Sequence, residues 1–255
     1  THLLKYGAAE GMIMQENDQY KAASVEAEAA GRGGLSQAEL DELVASSDTG
    51  GRSTTGTVGV FLALVALSWS LFQLWIASPI PFAFGWGVFN DTETRSIHLA
   101  FAVFLGITAF PAAHTKWQMG LGIGVPVMLA YLFMVGAKDG TPVWWIPLIA
   151  IAVVATVVLG SPKNRIPVWE WLLAIIGAAS ALYIFVYYRE ISTRVGAPTV
   201  QDMVVFVIGI MILLEATRRS LGPALTIVAS LFLVYNVLGP MMPDIIAHKG
   251  NSLSE

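Results

Sequence analysis

Seven stretches of hydrophobic residues, broken by proline, glycine or charged residues, follow a polar N-terminal segment. A helix needs about 20 apolar residues to cross a bilayer, and most of these stretches approach that length. Two of them, 97–113 and 203–217, are short for a span. We predict an all-α, polytopic membrane protein with about seven transmembrane helices, or six if 97–113 lies in the membrane interface. The stretches cover residues 58–77, 97–113, 119–137, 143–160, 168–188, 203–217 and 223–242.

Polar segments precede and follow the hydrophobic part. Residues 1–56 predict a polar, acidic N-terminal tail, in which Ser36 and Glu39 have the spacing of a capping box and indicate a short amphipathic helix near 37–46. Gly and Ser residues around Arg52 predict a flexible linker. The transmembrane helical domain is expected over 57–243, followed by a polar C-terminal segment, 244–255.

Composition supports the membrane prediction. The 255 residues are 55% hydrophobic and 13% charged, with a mean hydropathy of +0.66, whereas soluble proteins carry about 25% charged residues. The tail contains nine acidic and four basic residues, so the acidity of the chain is concentrated there. No basic patch indicates nucleic-acid binding. Cysteine is absent, which excludes disulfides and thiolate chemistry.

The charges of the loops give a weak prediction of orientation. With seven spans and a cytoplasmic N-terminus, six basic residues would lie inside and five outside, in agreement with the positive-inside rule. We therefore expect a multi-pass protein of a bacterial or archaeal cytoplasmic (inner) membrane, with the N-terminus in the cytoplasm.

Charged residues within or beside the hydrophobic stretches are candidate functional residues in a bilayer. Glu215 precedes Arg218 and Arg219 by three and four residues, which predicts that all three lie on one helix face. The spacing favours a neutralised group that fixes the end of the helix; the alternative is a carboxylate that couples transport to protons or ions.

Four further residues lie at the ends of predicted spans. Arg95 and His98 mark a membrane boundary, or alternatively form a clamp for a substrate carboxylate. Glu170 and Asp202 lie where an acidic residue complements the helix dipole and caps free N–H groups, so we predict capping for both. We treat all these residues as structural or interface candidates.

Small residues and prolines predict local packing and bends. Gly120, Gly122 and Gly124 permit close helix packing, while Pro126 and Pro147 lie inside hydrophobic stretches and predict kinks.

Motifs for chemistry are missing from the sequence. The lysines after residue 56 all lie in predicted loops or the C-terminal segment, so a retinal Schiff base is excluded. The four histidines have no spacing for metal or haem ligation, and hydrolase and nucleotide-binding motifs are absent. We therefore predict no enzymatic activity, no catalytic or metal-binding residue and no cofactor in this chain.

Several sequence blocks, taken together, resemble those of a known transporter family. The first half contains SLFQLW at 70–75, RSIHLAF at 95–101 and Phe110-Pro111. The second half contains RxGxPTxxD at 194–202, LEATRRxxG at 214–222 and, later, Gly239-Pro240. Their order is similar to the start of fused permeases of the tripartite ATP-independent periplasmic (TRAP) transporters, of the 4TM/12TM type associated with TAXI-type solute receptors. The resemblance covers about residues 70–250 and excludes the tail.

The resemblance implies a small, scaffold-like component of a secondary transporter. In that family a large membrane domain binds sodium and substrate and moves as an elevator, importing organic acids delivered by a periplasmic receptor. The large domain would follow the last residues of this sequence, so sodium is expected there. The implied partners are the large TRAP permease domain or subunit, a periplasmic TAXI-type receptor and the lipid bilayer.

Two alternatives remain open. The chain could be an autonomous membrane carrier or sensor, with a ligand site near Arg95, His98 and Glu215. It could instead be an assembly factor that acts through its acidic tail.

Overall fold

The computed structural model describes residues 51–52, 54–112, 115–137, 140–243, 245–247 and 249. All these residues belong to the unit Thr49–Glu255. Most of the predicted tail 1–56, including the amphipathic helix near 37–46, lies outside the described residues, as does most of the C-terminal segment 244–255.

Nine α-helices and one short 3₁₀ helix occur within the described residues. They are α1 Gly56–Ala77, α2 Ile80–Phe84, α3 Asp91–Ala109, α4 Lys116–Val135, α5 Ile146–Val158, α6 Val168–Val186, α7 Tyr188–Thr193, α8 Val200–Ser220, α9 Pro223–Leu238 and the 3₁₀ helix Gly239–Met241.

The all-α prediction is confirmed, since 75% of the described residues are helical and none of them lies in a strand. In the part of the chain that the structure describes, five helical segments are long and apolar enough to cross a membrane: α1, α4, α6, α8 and Pro223–Met241, which joins α9 to the 3₁₀ helix. These helices are compatible with a multi-pass membrane protein. The predicted count of seven spans is not confirmed, because α5 has 13 residues and α3 carries three charged residues in its first two turns.

Helix α8 lies at the centre of the bundle, because it contacts α3, α4, α5, α6 and α9. Helix α6 packs most extensively on α3 and also contacts α8, while α4 pairs with α5. The core contains fully or almost fully buried side chains from these helices, among them Ile107, Leu129, Ile146 and Val207. By contrast, α1 and the segment Pro223–Met241 bury 6% and 17% of their apolar windows within the chain. They are the most exposed of the five long apolar segments.

A capping box and a first-turn proline mark the beginnings of two helices. Asn90 and Glu93 form a capping box that starts α3 at Asp91, six residues before the predicted hydrophobic stretch. A capping box satisfies N–H groups that the first helical turn leaves free, so α3 extends through polar sequence. Pro147 lies in the first turn of α5, where proline is tolerated. The predicted kink at this residue is therefore wrong, whereas Pro126 does lie inside α4.

Candidate functional site

Five charged residues meet at one end of the bundle. We call this group the arginine cluster: Arg52, Glu170, Glu215, Arg218 and Arg219. It lies where α3 and α8 end and where α4 and α6 begin. The side chains of all five are at most 2% exposed. Buried charges require partners, and the cluster supplies them internally.

The α8 residues form the first half of the arginine cluster. Arg218 donates two hydrogen bonds to the Glu215 carboxylate, from Nε at 2.8 Å and from Nη2 at 2.7 Å. Arg219 donates from Nε to Oε1 of the same carboxylate at 2.7 Å. The predicted contact between Glu215 and the two arginines on one helix face is confirmed.

Glu170 connects this half to the rest of the protein. It is completely buried at the start of α6 and accepts a 2.8 Å hydrogen bond from Arg219 Nη1 and a 2.7 Å hydrogen bond from the Ser161 hydroxyl. Its other oxygen accepts from Arg52 Nη2. A carboxylate with these charge-assisted bonds links α6, α8 and the segment that precedes α1.

Arg52 also binds the end of α3. Its Nη1 donates to the carbonyl oxygens of Ile107 and Thr108, at 3.3 Å and 2.7 Å, which lie in the last turn of the helix and have no intrahelical donor. Burial lowers the pKa of the Arg52 guanidinium, while the adjacent Glu170 carboxylate opposes that shift. Arginine nevertheless stays protonated in proteins.

The arginine cluster has a formal charge of +1, because three guanidinium groups face two carboxylates. The C-terminal end of a helix carries a partial negative charge, and the carbonyls at the end of α3 partly balance the excess through Arg52. Arg218 likewise donates to the carbonyls of Ala112 and Gln118. Within the described residues, the Nη2 atom of Arg219 is buried without a hydrogen-bond partner.

A second polar group lies at the other end of α6 and α8. We call it the aspartate cluster: Tyr183, Arg194, Thr199 and Asp202. Arg194 donates from Nε and Nη2 to Asp202, at 3.1 and 2.8 Å, and the Tyr183 hydroxyl donates to Asp202 at 2.6 Å. The hydrogen bonds to Asp202 raise the pKa of Arg194.

Asp202 also caps α8. Its carboxylate accepts from the Thr199 backbone N–H at 2.8 Å, and the Thr199 hydroxyl accepts from the Asp202 N–H at 3.2 Å. The predicted capping role of Asp202 is therefore confirmed.

The two clusters hold the same pair of helices at both ends. Thirteen residues separate Glu170 from Tyr183 on α6 and Asp202 from Glu215 on α8, and 13 residues of helix span about 20 Å. The helix segments between the clusters are almost entirely apolar. Sliding of α6 along α8 would break ion pairs or hydrogen bonds at both ends.

Two sequence predictions fail at the arginine cluster. Glu170 lies in the first turn of α6 as expected, but it makes no capping hydrogen bond, because its oxygens accept from arginine and serine side chains. The glycine- and serine-rich sequence around Arg52 predicts a flexible linker, but the Arg52 side chain is buried and its backbone N–H donates to the Ala109 carbonyl at 2.8 Å. Neither residue carried a local signal for the pairing, since they are 118 residues apart.

Arg95 and His98 do not join either cluster. Arg95 pairs with Asp91 one turn earlier at 2.7 Å, with both side chains more than 70% exposed. His98 contacts α1, where the Trp69 indole N–H donates to its Nδ1 at 2.9 Å and the Gln73 amide lies 2.9 Å from the same atom. Glu215 is buried elsewhere, so the three residues suggested for an autonomous ligand site line no common cavity.

The exposed ion pair between Arg95 and Asp91 is expected to contribute little to stability. Replacing Arg95 with Ala should change the free energy of unfolding by less than about 1 kcal/mol, because solvent-exposed ion pairs contribute little. The measurement is a denaturant titration of the purified chain in mild detergent, with the wild-type chain beside it. A loss of several kcal/mol would instead indicate that Arg95 has a buried role.

Within the described residues, no group of three or more histidine or acidic side chains could hold a metal ion. No protein-family model matches the chain, and no curated protein or solved structure matches it either. The resemblance to TRAP permeases therefore remains a prediction from its sequence blocks.

Proposed function

We propose that this chain is a membrane-embedded scaffold, the small component of a TRAP-type secondary transporter. The observation that carries the proposal is the attachment of α6 to α8 by polar clusters at both ends. A static support benefits from helices that cannot slide past one another, whereas an autonomous carrier built from this bundle alone would have to shift its own helices against each other to open and close.

The location of the charges supports the same role. An ion path needs polar groups along its length, but in α6 and α8 the charged residues lie at the two ends. Glu215 is engaged by Arg218 and Arg219. A carboxylate held by two guanidinium groups is a poor carrier of sodium or protons, because the ion would have to displace both arginines.

The exposed helices supply surfaces for the bilayer and for a partner. Large apolar side chains of α1 and α9, such as Leu64, Leu74, Leu231 and Phe232, are more than half exposed. In the proposal, these faces contact lipid or the large permease component, which binds sodium and an organic acid. A periplasmic TAXI-type receptor would deliver the substrate to that component.

Reconstitution into liposomes tests the proposal. We expect no sodium-driven uptake of organic acids by this chain alone, and uptake when a large TRAP permease component and its receptor are added. Uptake by the chain alone would overturn the proposal and return attention to an autonomous carrier.

Replacing Glu215 then distinguishes a structural role of this residue from a role in coupling transport to sodium. In the assembled transporter, Glu215→Gln should reduce the amount of folded complex but leave the sodium concentration for half-maximal uptake unchanged. Glu190→Gln, at an exposed position of α7, is the matched control and should change neither quantity. A shift of the sodium dependence in Glu215→Gln would assign ion coupling to this chain and contradict the scaffold.

A further inference from the structure

A groove beside the aspartate cluster has no role in the proposed scaffold. Its volume is about 420 Å³, and it runs between α3, α6 and α8 and is bordered by the segment that follows α7. This volume is within the range of small-molecule sites. Two of its lining side chains, Ile184 and Phe206, are 40% and 47% exposed. The groove therefore opens to the surroundings rather than forming a closed void.

The lining is polar at one end and apolar along the rest. Tyr183, Arg194 and Asp202 lie at the end where α6 stops and α8 begins, while Leu99, Val103 and Leu213 line the remainder. Eleven residues separate Asp202 from Leu213, a distance of about 16 Å along the helix. Ser180 of α6 lies in the apolar part of the lining, but its hydroxyl donates to the Gly177 carbonyl at 2.7 Å and so has a partner within its own helix. An elongated molecule with one polar end matches this distribution.

Two glycines line part of the groove. Gly177 and Gly209 contribute to its wall from α6 and α8. A Cβ atom at Gly209 would lie 3.3 Å from the Ser180 hydroxyl oxygen on the opposite helix. A larger side chain at residue 209 would therefore occupy the space between these two helices.

The polar end offers donors rather than acceptors. The Asp202 carboxylate accepts five hydrogen bonds, from Tyr183, Arg194 and Thr199, which uses the roughly four lone-pair sites of a carboxylate. Arg194 donates to Asp202 through Nε and Nη2, so Nη1 takes no part in this ion pair, and the guanidinium also interacts with the Tyr183 side chain. Guanidinium groups bind phosphate oxygens well, and the Arg194 side chain is 30% exposed.

We propose that this groove binds one phospholipid of the surrounding bilayer, with an acyl chain along α8 and the anionic phosphate at Arg194. The inference rests on the membrane location in the proposed function but not on the identity of the transporter. The position of Arg194 just outside the apolar part of α8 agrees with the level of lipid headgroups, where arginine commonly lies.

Native mass spectrometry of the full chain, titrated with phosphatidylglycerol in mild detergent, tests the proposal. We expect one tightly bound lipid and a loss of affinity of about tenfold or more in Arg194→Gln, the usual scale of a charge-assisted hydrogen bond. Arg189→Gln, at an exposed position of α7, is the matched control and should retain the affinity. An equal loss in both variants would indicate diffuse surface attraction and overturn the proposal.

Two further variants distinguish a loss of lipid binding at the groove from a loss caused by misfolding. Arg194→Gln with Asp202→Asn removes both charges of the pair, so it avoids an unpaired carboxylate; it should stay folded and still bind the lipid weakly. Val205→Phe, which enlarges a lining side chain of α8 outside the core, should weaken binding whatever the headgroup, because it narrows the groove. Unchanged binding in Val205→Phe would contradict occupation of the groove by an acyl chain.

A competition experiment identifies the source of the phosphate. Millimolar inorganic phosphate should not displace phosphatidylglycerol if the acyl chain contributes to binding. Displacement by phosphate alone would show a simple anion site and overturn the lipid assignment. All these readouts measure bound lipid, so they are independent of the uptake experiments that test the scaffold.

Discussion

Replacing Glu170 with Gln is expected to lower the free energy of unfolding by about 3–5 kcal/mol, the usual cost of removing one partner from a buried ion pair. Glu170 is completely buried and accepts hydrogen bonds from Arg52, Ser161 and Arg219. Glutamine has a similar shape but lacks the charge. Two buried guanidinium groups would lose their shared carboxylate, and the formal charge of the arginine cluster would rise from +1 to +2.

A denaturant titration in mild detergent provides the measurement. Glu190→Gln is the control, because it removes the same charge from an exposed position of α7 and should be almost neutral. The double variant Glu170→Gln with Arg219→Gln restores the formal charge of +1 and should recover part of the loss. If Glu170→Gln were as stable as the control, the cluster would not hold α6 to α8.

Charge repulsion also predicts where the Glu170→Gln variant opens first. Arg52 precedes α1 and reaches the end of α3, so release of Arg52 should free this segment from the bundle. Hydrogen exchange of the Arg52 amide, which donates to Ala109, should accelerate more than that of amides in the middle of α6. Uniform acceleration would indicate global unfolding instead.

The local parts of this fold could be predicted from sequence because they depend on residues close in the chain. The hydrophobic stretches located the main helices, and the spacing of Glu215 to Arg218 and Arg219 predicted their contact. The capping role of Asp202 likewise depends on Thr199, three residues away. In each case the physical cause acts within one or two helical turns.

The long-range parts could not be predicted in this way. Glu170 looked like a helix cap because an acidic residue in a first turn is common, and only tertiary packing brings Arg52 and Arg219 to it. The 97–113 stretch looked short because hydrophobicity alone does not detect the capping box at Asn90. The groove at Arg194 depends on three helices and has no signature in any one of them.

The second large effect on stability is expected at Gly177, where α6 packs closely against α3 and α8. A Cβ atom at Gly177 would lie 2.6 Å from Cγ2 of Ile212 on α8 and 2.7 Å from Cγ1 of Val103 on α3. Both neighbours are β-branched and 2% exposed, so their methyl groups cannot rotate away easily. The absence of a side chain at residue 177 is what allows three helices to meet.

Gly177→Ala should therefore destabilise the bundle by roughly 2 kcal/mol. Overpacking a core costs about 1–3 kcal/mol, and two contacts below 3.0 Å indicate the upper part of that range. The higher helix propensity of alanine returns up to about 1 kcal/mol. The expected balance is a net loss, measured as the free energy of unfolding in detergent.

Gly120→Ala and Gly124→Ala are the matched controls, because no atom lies within 4 Å of a Cβ atom built at either residue of α4. These variants should keep or slightly increase stability through helix propensity alone. Adding Ile212→Leu to Gly177→Ala should recover part of the loss, since leucine has no methyl group on Cβ. If Gly177→Ala matched the α4 controls, α3, α6 and α8 would not be packed as closely as the structure places them, and the rigid support proposed for this chain would lose its central helix contact.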